Sequence, residues 1–227
     1  GRLLLLDEVT KQKEREAALR TAKQKDEEAS RLKSAILANM KHEVRTPLTS
    51  ILSFAGILKK QVSGQNERYA DLVLKGGERL QDTFDSVLRL SELETGTMDI
   101  RRERVNLGFV ADTAAELLRP KAEEEGLTLD ADLPDAPVVG VWDEDALFHI
   151  TENLLENAIK FTPEGGRVEV RVRPRANDAI LEIEDTGIGI SDDDLGYIFE
   201  AFRQVEQGPK REYEGSGLGL SIVKKLV

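Results

Sequence analysis

Cysteine is absent from the 227 residues of this sequence. The chain can therefore form no disulfide framework and no thiolate zinc site, and it has no cysteine nucleophile. Long hydrophobic runs are absent as well, since the longest stretch of large aliphatic residues is Leu3–Leu6. A helix that crosses a bilayer needs roughly 20 apolar residues. We therefore expect no membrane-spanning segment. Because the chain has no cysteine, a reducing interior is the simpler compartment for it.

Positive charge is scarce relative to negative charge. Lysine and arginine number 32 against 43 acidic residues, which gives a formal net charge of −11. A surface of this sign repels a nucleic-acid backbone, so the composition argues against nucleic acid as a partner. Charged residues make up 33% of the chain and hydrophobic residues 40%. This balance excludes both an intrinsically disordered chain and a membrane-embedded one.

The start of the chain divides into two short segments. Residues 1–10 are interpreted as the end of an upstream domain, because four leucines stop abruptly at Asp7. Residues 11–33 are rich in Glu, Lys, Arg, Gln and Ala and contain no Gly or Pro, which predicts a solvated helix able to join a coiled coil. Asp26 interrupts its weak apolar seam, so a lone connecting helix is the alternative.

Residues 34–98 carry two amphipathic helical patterns separated by the turn-forming sequence SGQN. In each pattern, apolar residues recur at spacings of three, four or seven, as one face of a helix requires. The first pattern comprises Leu37, Met40, Val44, Leu48, Ile51, Ala55, Leu58 and Val62, and the second Tyr69, Leu72, Val73, Leu80, Phe84, Val87, Leu88, Leu90 and Leu93. An antiparallel hairpin of two helices cannot enclose a core by itself. We therefore predict a homodimer whose two hairpins form a four-helix bundle.

Residues 104–227 change to a mixed pattern of helices and strands. A helix over about 107–125 is followed by strands at 127–131 and 138–142 and by a further helix. After the Gly165–Gly166 turn, the alternating runs RVEVRVR and AILEIED predict two paired strands. We expect an α/β sandwich with one sheet covered by helices. The predicted fold is an α-helical hairpin followed by an α+β domain.

Two glycine-rich segments lie in this second region. Asp185–Ile190 (DTGIGI) ends a strand, and Gly215–Leu220 (GSGLGL) precedes the last helix. Either segment alone is consistent with a tight turn or a helix cap. The second resembles a phosphate cradle, because glycines let backbone N–H groups approach a phosphate and a helix start adds a positive dipole end. A dinucleotide-binding turn is excluded, because the glycine spacing differs and no strand directly precedes it.

A helix that follows the candidate N-cap Asp143 carries three polar residues on one face. Asn153, Asn157 and Lys160 occupy positions i, i+4 and i+7. Such a face suits a magnesium ion held mainly by substrate phosphates, with one amide oxygen as a protein ligand and the lysine offsetting phosphate charge. A solvated polar face is the alternative for the helix alone, but the two glycine segments in the same domain favour the phosphate site.

Five ordered motifs resemble those of the sensor histidine kinases of two-component systems. The segment NMKHEVRTPL is similar to the phosphoacceptor box of that family, and ENLLENAIKFT, DTGIGI, IFEAFRQ and GSGLGLSIV are similar to its nucleotide-binding boxes. The resemblance covers about residues 30–227. It implies the ATP-binding fold shared with gyrase, the mismatch-repair ATPases and the heat-shock chaperone, with ATP and Mg²⁺ as cofactors.

His42 is the candidate phosphoacceptor in the first motif. We expect it to face away from the apolar seam of its helix, where its imidazole can attack a γ-phosphoryl group while Glu43 holds the tautomer and accepts the proton. His42 is therefore assigned as nucleophile and Glu43 as its base. The resemblance implies that Thr46 orients a water in a phosphatase reaction. Pro47 frees the carbonyl of Glu43 and is expected to bend the helix near His42.

The resemblance also implies roles for the polar residues of the nucleotide site. Asp185 would accept a hydrogen bond from the adenine amino group, Asn157 would ligate magnesium, and Asn153 and Lys160 would lie near the phosphates. Asn153 stands where the gyrase and chaperone type has a glutamate that activates water, and an amide cannot act as a base at neutral pH. The site is therefore expected to hold ATP without rapid hydrolysis until His42 attacks.

The remaining residues implied by the resemblance line or cover this site. The glycines fall into two sets, with Gly187 and Gly189 at the adenine pocket and Gly215, Gly217 and Gly219 beside the triphosphate. The segment Arg203–Glu214 would be a mobile lid, and Phe199 and Phe202 would anchor its start against the core. His149 is expected to be a structural residue of its helix.

Taken together, the sequence predicts a kinase core that phosphorylates His42 within a homodimer and passes the phosphoryl group to an aspartate of a response-regulator receiver domain. An upstream sensor domain is a further expected partner, and the expected location is cytoplasmic, in a soluble protein or in the cytoplasmic part of a membrane sensor. Two alternatives remain, an ATP hydrolase or clamp of the same fold and a catalytically degenerate dimeric scaffold. Because the chain stops at Val227, just inside the last helix, we expect its ATP-binding domain to be incomplete.

Overall fold

The structure is a computed structural model, and it describes most of the chain. The described residues are Arg20, Lys23, Met40, 43–176, 178–203 and 216–227. The expectations for residues 1–10, for His42 and for Gly215 lie outside the described residues, as do most of those for 11–33 and for the lid. Within the described residues, no helix is both long and apolar enough to cross a membrane.

The chain divides into two compact units, Gly1–Thr97 and Met98–Val227. The described residues 43–97 of the first unit are called the hairpin here, and the second unit is called the C-terminal unit. In the hairpin, α1 covers residues 43–61 and α2 covers Gln65–Thr95. The two helices run antiparallel, as the periodicity predicts. Gly96 ends α2 in a left-handed conformation with a φ of 65°, which a glycine adopts without steric cost.

The C-terminal unit contains five strands and four helices among its described residues. In chain order these are β1 (Glu103–Asn106), α3 (Leu107–Glu124), β2 (Thr128–Asp132), β3 (Val139–Trp142), α4 (Glu144–Phe161), β4 (Arg167–Arg175), β5 (Asp178–Asp185), α5 (Asp192–Leu195) and α6 (Gly219–Leu226). The predicted cap of α4 is present, since Asp143 Oδ1 accepts the N–H of Ala146 at 2.8 Å. The structure thus confirms the predicted helical hairpin followed by an α/β domain.

The strands form two sheets, whereas the sequence predicted one. In the larger sheet, β4 lies between β2, which is parallel to it, and β5, which is antiparallel. The smaller sheet pairs β1 with β3 in antiparallel register, with Val105 opposite Gly140. Strand β1 was missed because it has four residues, of which Val105 alone is buried, too few for an alternating pattern. Since β3 pairs with this short strand, it does not extend the larger sheet.

The core of the C-terminal unit lies between the larger sheet and the helices α3 and α4. Val168, Val170 and Val172 alternate along β4 and are fully buried on the helix side. The intervening side chains face outward, where Arg171 donates to Glu169 and Glu184. Because β4 and β5 are antiparallel, the start of β4 lies beside the end of β5, where Val168 pairs with Asp185. The segment that follows β5 reaches the C-terminal end of α4, since the N–H of Ile188 donates to the carbonyl of Phe161.

Candidate nucleotide site

The candidate nucleotide site is organised by α4. Leu155, Ala158 and Ile159 are buried and fix the inner face of this helix against the core. Asn153 and Asn157 are half-buried on another face. The strong cap at its N-terminus and the packing of its apolar side therefore hold the polar side chains of α4 in one orientation.

Asn153 joins α4 to the start of α6. Its Nδ2 donates to the carbonyl of His149 at 2.8 Å, one turn earlier in the same helix. Its Oδ1 faces Gly219, where an added Cβ would lie only 2.6 Å away. The protein thus binds the Nδ2 end of the Asn153 amide, and the second glycine segment is packed closely against the Oδ1 end on the α4 face.

Asn157 and Lys160 present a different arrangement one and two turns further on. Asn157 makes no hydrogen bond to the part of the chain that the structure describes, although it is half-buried. The Nζ of Lys160 lies 4.6 Å from the centre of the Phe161 ring, a distance typical of a cation–π contact. Asn157 is therefore available to a ligand, and the lysine is held close to its own helix.

The first glycine segment reaches α4 at its C-terminal end. The N–H of Ile188 donates to the carbonyl of Phe161 at 3.1 Å, and a Cβ at Gly187 would lie 2.5 Å from the same oxygen. Asp185 Oδ1 accepts the N–H of Gly187 at 2.8 Å. The carboxylate of Asp185 is exposed, and its Oδ2 accepts no hydrogen bond from any described residue. The structure thus brings Asp185 and Gly187 to the same helix that carries Asn157.

Gly217 connects described residues that lie on the two sides of positions 204–215 in the sequence. Its carbonyl accepts the N–H of Phe202 at 2.9 Å, and its φ of 69° is one that side chains rarely adopt. A Cβ there would also lie 2.8 Å from the carbonyl oxygen of Arg203. Gly217 therefore cannot be replaced without moving backbone. Gly189 has a similar φ of 70°, with no atom near its Cβ position.

The expectation that both phenylalanines pack against the core is wrong. Phe202 is 65% exposed and has a φ of 63°, and Phe199 is 40% exposed. The hydrogen bond from Phe202 to Gly217 fixes this left-handed backbone, so its ring points outward rather than into the core. Lys224 Nζ lies 5.5 Å from the centre of the Phe199 ring. The i, i+3 spacing of two aromatic residues does not reveal such a backbone reversal.

Sequence patterns did not predict that the residues around the Gly165–Gly166 turn lie beside the candidate nucleotide site. Thr186 Oγ1 accepts the N–H of Arg167 at 2.9 Å, which ties the DTGIGI segment to the start of β4. A Cβ at Gly166 would lie 2.3 Å from Thr162 and 2.9 Å from Thr186 Oγ1. The adjacent pair of glycines was the available signal, but a turn explained it equally well. His149 Nδ1 lies 3.3 Å from Glu152 Oε2.

Surface ion pairs displace several pKa values. The hydrogen bond to Glu169, followed by that to Glu184, raises the pKa of Arg171, and the hydrogen bond to Arg173 lowers that of Asp132. These groups lie on the outer face of the larger sheet, so the shifts reflect its charge pairing. Among the described residues, no group of three or more His, Asp or Glu side chains could hold a metal ion.

The described part of the phosphoacceptor motif lies in α1 of the hairpin. Glu43 and Thr46 are both exposed there, and the carbonyl of Thr46 accepts the hydroxyl of Ser50 at 3.2 Å. Arg45 Nη2 forms an ion pair of 2.8 Å with Asp85 Oδ1 of α2. Pro47 lies within the helix. Of this motif, the structure describes Met40 and the residues from Glu43 onward.

Two family models match this chain. Residues 32–96 match the His Kinase A (phospho-acceptor) domain, and residues 142–227 match the "Histidine kinase-, DNA gyrase B-, and HSP90-like ATPase" family. The chain belongs to the sensor histidine kinases. The resemblance found in its motifs is thereby confirmed, and the C-terminal unit of this histidine kinase is an ATP-binding domain.

Known proteins similar to this histidine kinase include the non-motile and phage-resistance protein of Caulobacter vibrioides, which is 38% identical over 216 residues, covering 91% of this chain and 26% of that protein. The autoinducer 2 sensor kinase/phosphatase LuxQ of Vibrio vulnificus is 37% identical over 221 residues, which cover 91% of this chain and 25% of LuxQ. The crystal structure of full-length ShkA in complex with AMPPNP is 30% identical to this chain, with a TM-score of 0.68. The match covers 84% of this chain and 40% of the ShkA chain. The chain spans about a quarter of the length of the first two relatives.

Proposed function

We propose that this chain transfers the γ-phosphoryl group of ATP to His42 and from there to an aspartate of a response-regulator receiver domain. The observation that carries the proposal is the position of both glycine segments on the Asn157 side of α4. Gly187 lies against the carbonyl of Phe161, and Gly219 lies against Asn153. A nucleotide that contacts both segments must therefore pass the free amide of Asn157.

The exposed carboxylate of Asp185 supports a role at the adenine end. With Oδ1 bound to Gly187, its Oδ2 remains able to accept a hydrogen bond from an exocyclic amino group. Gly187 and Gly189 would line this end of the site, and Gly217 and Gly219 the phosphate end, together with Gly215. Asn153 and Lys160 would lie near the phosphates, although the Nδ2 of Asn153 already donates to the carbonyl of His149.

Magnesium fits this site as an ion that substrate phosphates share with the protein. Mg²⁺ prefers oxygen ligands and keeps several ligands from water and phosphate. The amide oxygen of Asn157, which the described residues leave without a partner, would be the protein ligand. When bound, the ion would neutralise charge on the phosphates during transfer.

The proposed transfer begins with His42 as the nucleophile. One imidazole nitrogen forms a bond to the γ-phosphorus while the bond to the bridging oxygen of ADP breaks, and the imidazole proton passes to Glu43. The phosphoryl group then moves to a carboxylate oxygen of the regulator, which regenerates His42. Thr46, which is exposed in α1, would orient the water that later hydrolyses the phosphorylated regulator. LuxQ, named a kinase/phosphatase, supports this second activity.

The surface of the hairpin supports a homodimer. A groove of about 590 Å³ runs between α1 and α2. Its lining residues are Ser50, Ile51, Phe54, Ala55, Leu58, Val62, Asn66, Tyr69, Ala70 and Val73. Apolar surface of this kind is covered when two hairpins form a four-helix bundle. The proposed domains are 34–98 for dimerisation and phosphotransfer and 104–227 for ATP binding, preceded by the segments 1–10 and 11–33.

Labelling with γ-³²P ATP tests this function directly. Wild-type protein should retain label that is stable to base and labile to acid, as a phosphoramidate is, and His42→Ala should retain none. The matched control is His149→Gln, which removes the other histidine of the chain and should label like the wild type. Release of inorganic phosphate without labelled protein would instead identify an ATP hydrolase or clamp. Failure to bind ATP would identify a catalytically degenerate scaffold.

Equilibrium binding separates the roles of the two key residues in the nucleotide site. Asp185→Asn should weaken the binding of a fluorescent ATP analogue both with and without Mg²⁺, because it changes the adenine contact. Asn157→Ala should weaken binding only when Mg²⁺ is present, because it removes the ligand to the ion. Equal losses for Asn157→Ala in both conditions would contradict its assignment as the metal ligand.

A further inference from the structure

Two ion pairs of similar exposure join α1 to α2. At one end of the hairpin, Arg45 Nη2 lies 2.8 Å from Asp85 Oδ1, and at the other end Lys59 Nζ lies 2.6 Å from Asp71 Oδ1. The exposed fractions of the side chains are 45% and 38% in the first pair and 43% and 32% in the second. Both pairs fit one antiparallel register, because Arg45 and Lys59 are as far apart in α1 as Asp85 and Asp71 are in α2.

A close helix contact lies midway between these pairs. A Cβ at Gly77 would lie 2.6 Å from Leu52 Cδ2, so the Leu52 side chain packs directly on the backbone of α2 and would have to shift for an alanine. Arg45, Leu52 and Lys59 are spaced by heptads, which places them on one face of α1. The three contacts therefore form one seam, with a tight apolar contact at the centre and an ion pair at each end.

Pro47 makes the two ends of this seam unequal. A proline inside a helix removes the N–H that would bind the carbonyl one turn earlier, here that of Glu43. Beyond Pro47, the buried side chains of Leu48 and Ala55 and the Gly77 contact hold α1 against α2. Before Pro47, the backbone bonding of α1 is weakened, and Arg45 supplies an ion pair to α2 on that side.

From this arrangement we infer that Asp85 is a positioning residue for the phosphoacceptor segment. Through Arg45, it fixes the part of α1 that precedes Pro47, and that part carries the phosphoacceptor motif. The inference rests on the proposed function, because it concerns how His42, Glu43 and Thr46 are presented to ATP and to the regulator. Loosening this segment alters the balance between phosphorylation of His42 and dephosphorylation of the regulator.

An exposed ion pair of this kind contributes little to folding stability, so its loss should act mainly on position. Replacing Asp85 by Asn removes the charge and keeps the size of the side chain. Asp85→Asn should change the ratio of autophosphorylation rate to phosphatase rate by about two- to fivefold, the range that corresponds to the strength of an exposed pair. Asp71→Asn is the matched control, since it breaks the other ion pair of the seam and should leave this ratio unchanged.

The experiment compares wild type, Asp85→Asn, Asp85→Glu and Asp71→Asn in the full chain. Rates of His42 labelling, dephosphorylation of a labelled receiver domain and thermal unfolding are measured for each. Asp85→Glu should restore a wild-type ratio because it can still pair with Arg45. If Asp85→Asn and Asp71→Asn change the ratio equally, the inference is overturned. It is also overturned if Asp85→Asn destabilises the protein more than Asp71→Asn does and this loss of stability accounts for the changed ratio.

Amide hydrogen exchange makes this result independent of the proposed function. The amides of residues 44–46 should exchange faster in Asp85→Asn than in wild type, by a factor of about two to five, and should be unaffected in Asp71→Asn. If wild-type protein takes no label from ATP, the proposed function fails while the exchange data still decide whether Asp85 holds the segment. Unchanged exchange in Asp85→Asn overturns the inference even in an active kinase.

Discussion

The hairpin and the C-terminal unit differ in how completely each buries its apolar residues. In the C-terminal unit, Leu155, Val168 and Val170 have no exposed surface, because helices and sheet cover one another within a single chain. In the hairpin, Phe54 is 66% exposed and Leu72 is 60% exposed. An apolar surface is stable in water when another surface covers it. The first arrangement encloses its own core, whereas the second leaves apolar surface exposed, which the proposed homodimer would cover.

The largest expected effect tests the self-contained core. Leu155→Ala removes a fully buried side chain of α4 and should lower the free energy of unfolding of the C-terminal unit by about 2–5 kcal/mol. Trp142, the single tryptophan of the chain, packs against this core and reports its unfolding in a denaturant titration. The control Leu117→Ala, on the exposed surface of α3, should change stability little. A similar loss in both variants would argue against a closed core.

The next effect tests the need for a second hairpin. Phe54→Glu places a charge in the groove between α1 and α2 and should raise the dimer dissociation constant about thirtyfold or more. Phe109→Glu is the matched control, because Phe109 is 62% exposed on α3 of the C-terminal unit. Sedimentation velocity over a range of concentrations measures both. If Phe54→Glu remains as dimeric as Phe109→Glu, the groove is not the dimer interface.

Sequence periodicity and capping predicted most of the helices and strands in both units. The alternation of Val168, Val170 and Val172 predicted β4, and the position of Asp143 predicted the start of α4. Strand β1 escaped prediction because one buried residue, Val105, gives no period. Pairing of β1 with β3 depends on a contact between distant parts of the chain, so the division into two sheets could not be predicted from local pattern.

The motifs predicted which elements would form the nucleotide site, but not how their residues are occupied. Helical spacing placed Asn153 and Asn157 on one face of α4. It gave no sign that Asn153 would bind the His149 carbonyl and face Gly219 while Asn157 would stay free of described partners. The left-handed backbone of Phe202 depends on its hydrogen bond to Gly217. These features arise from tertiary contacts, which a single sequence does not encode locally.

A smaller effect distinguishes two glycines within the C-terminal unit. Gly217→Ala should lower stability by at least about 1–2 kcal/mol, because a left-handed backbone disfavours a side chain and the added Cβ would also meet the backbone of Arg203. Gly219→Ala should be destabilising for another reason, since its Cβ would meet Asn153 Oδ1. Adding Asn153→Ala should therefore recover stability in the Gly219 variant and not in the Gly217 variant. Thermal unfolding measures this double-mutant cycle, and equal recovery in both would contradict the assignment of the strain.

The smallest expected effect compares one ion pair from each unit under acid. Hydrogen bonding to Lys59 lowers the pKa of Asp71 in the hairpin, and hydrogen bonding to Arg173 lowers that of Asp132 in the C-terminal unit. A carboxylate with a lowered folded-state pKa stabilises the fold above its unfolded-state pKa of about 4, and this contribution is lost as the pH falls through the folded-state value.

Each unit should therefore lose a small part of its stability below about pH 4, with no contribution from these groups to any change between about pH 5 and 8. Asp71→Asn should reduce the acid dependence of the stability of the hairpin alone, which is measured by helical circular dichroism. Asp132→Asn should reduce the acid dependence of the stability of the C-terminal unit alone, which is measured by Trp142 fluorescence. Solvent reaches both carboxylates, so screening keeps the effects small. If either variant altered the acid response of both units equally, the two units would not unfold independently, and the contrast between a closed core and an open hairpin would have to be described as one cooperative structure.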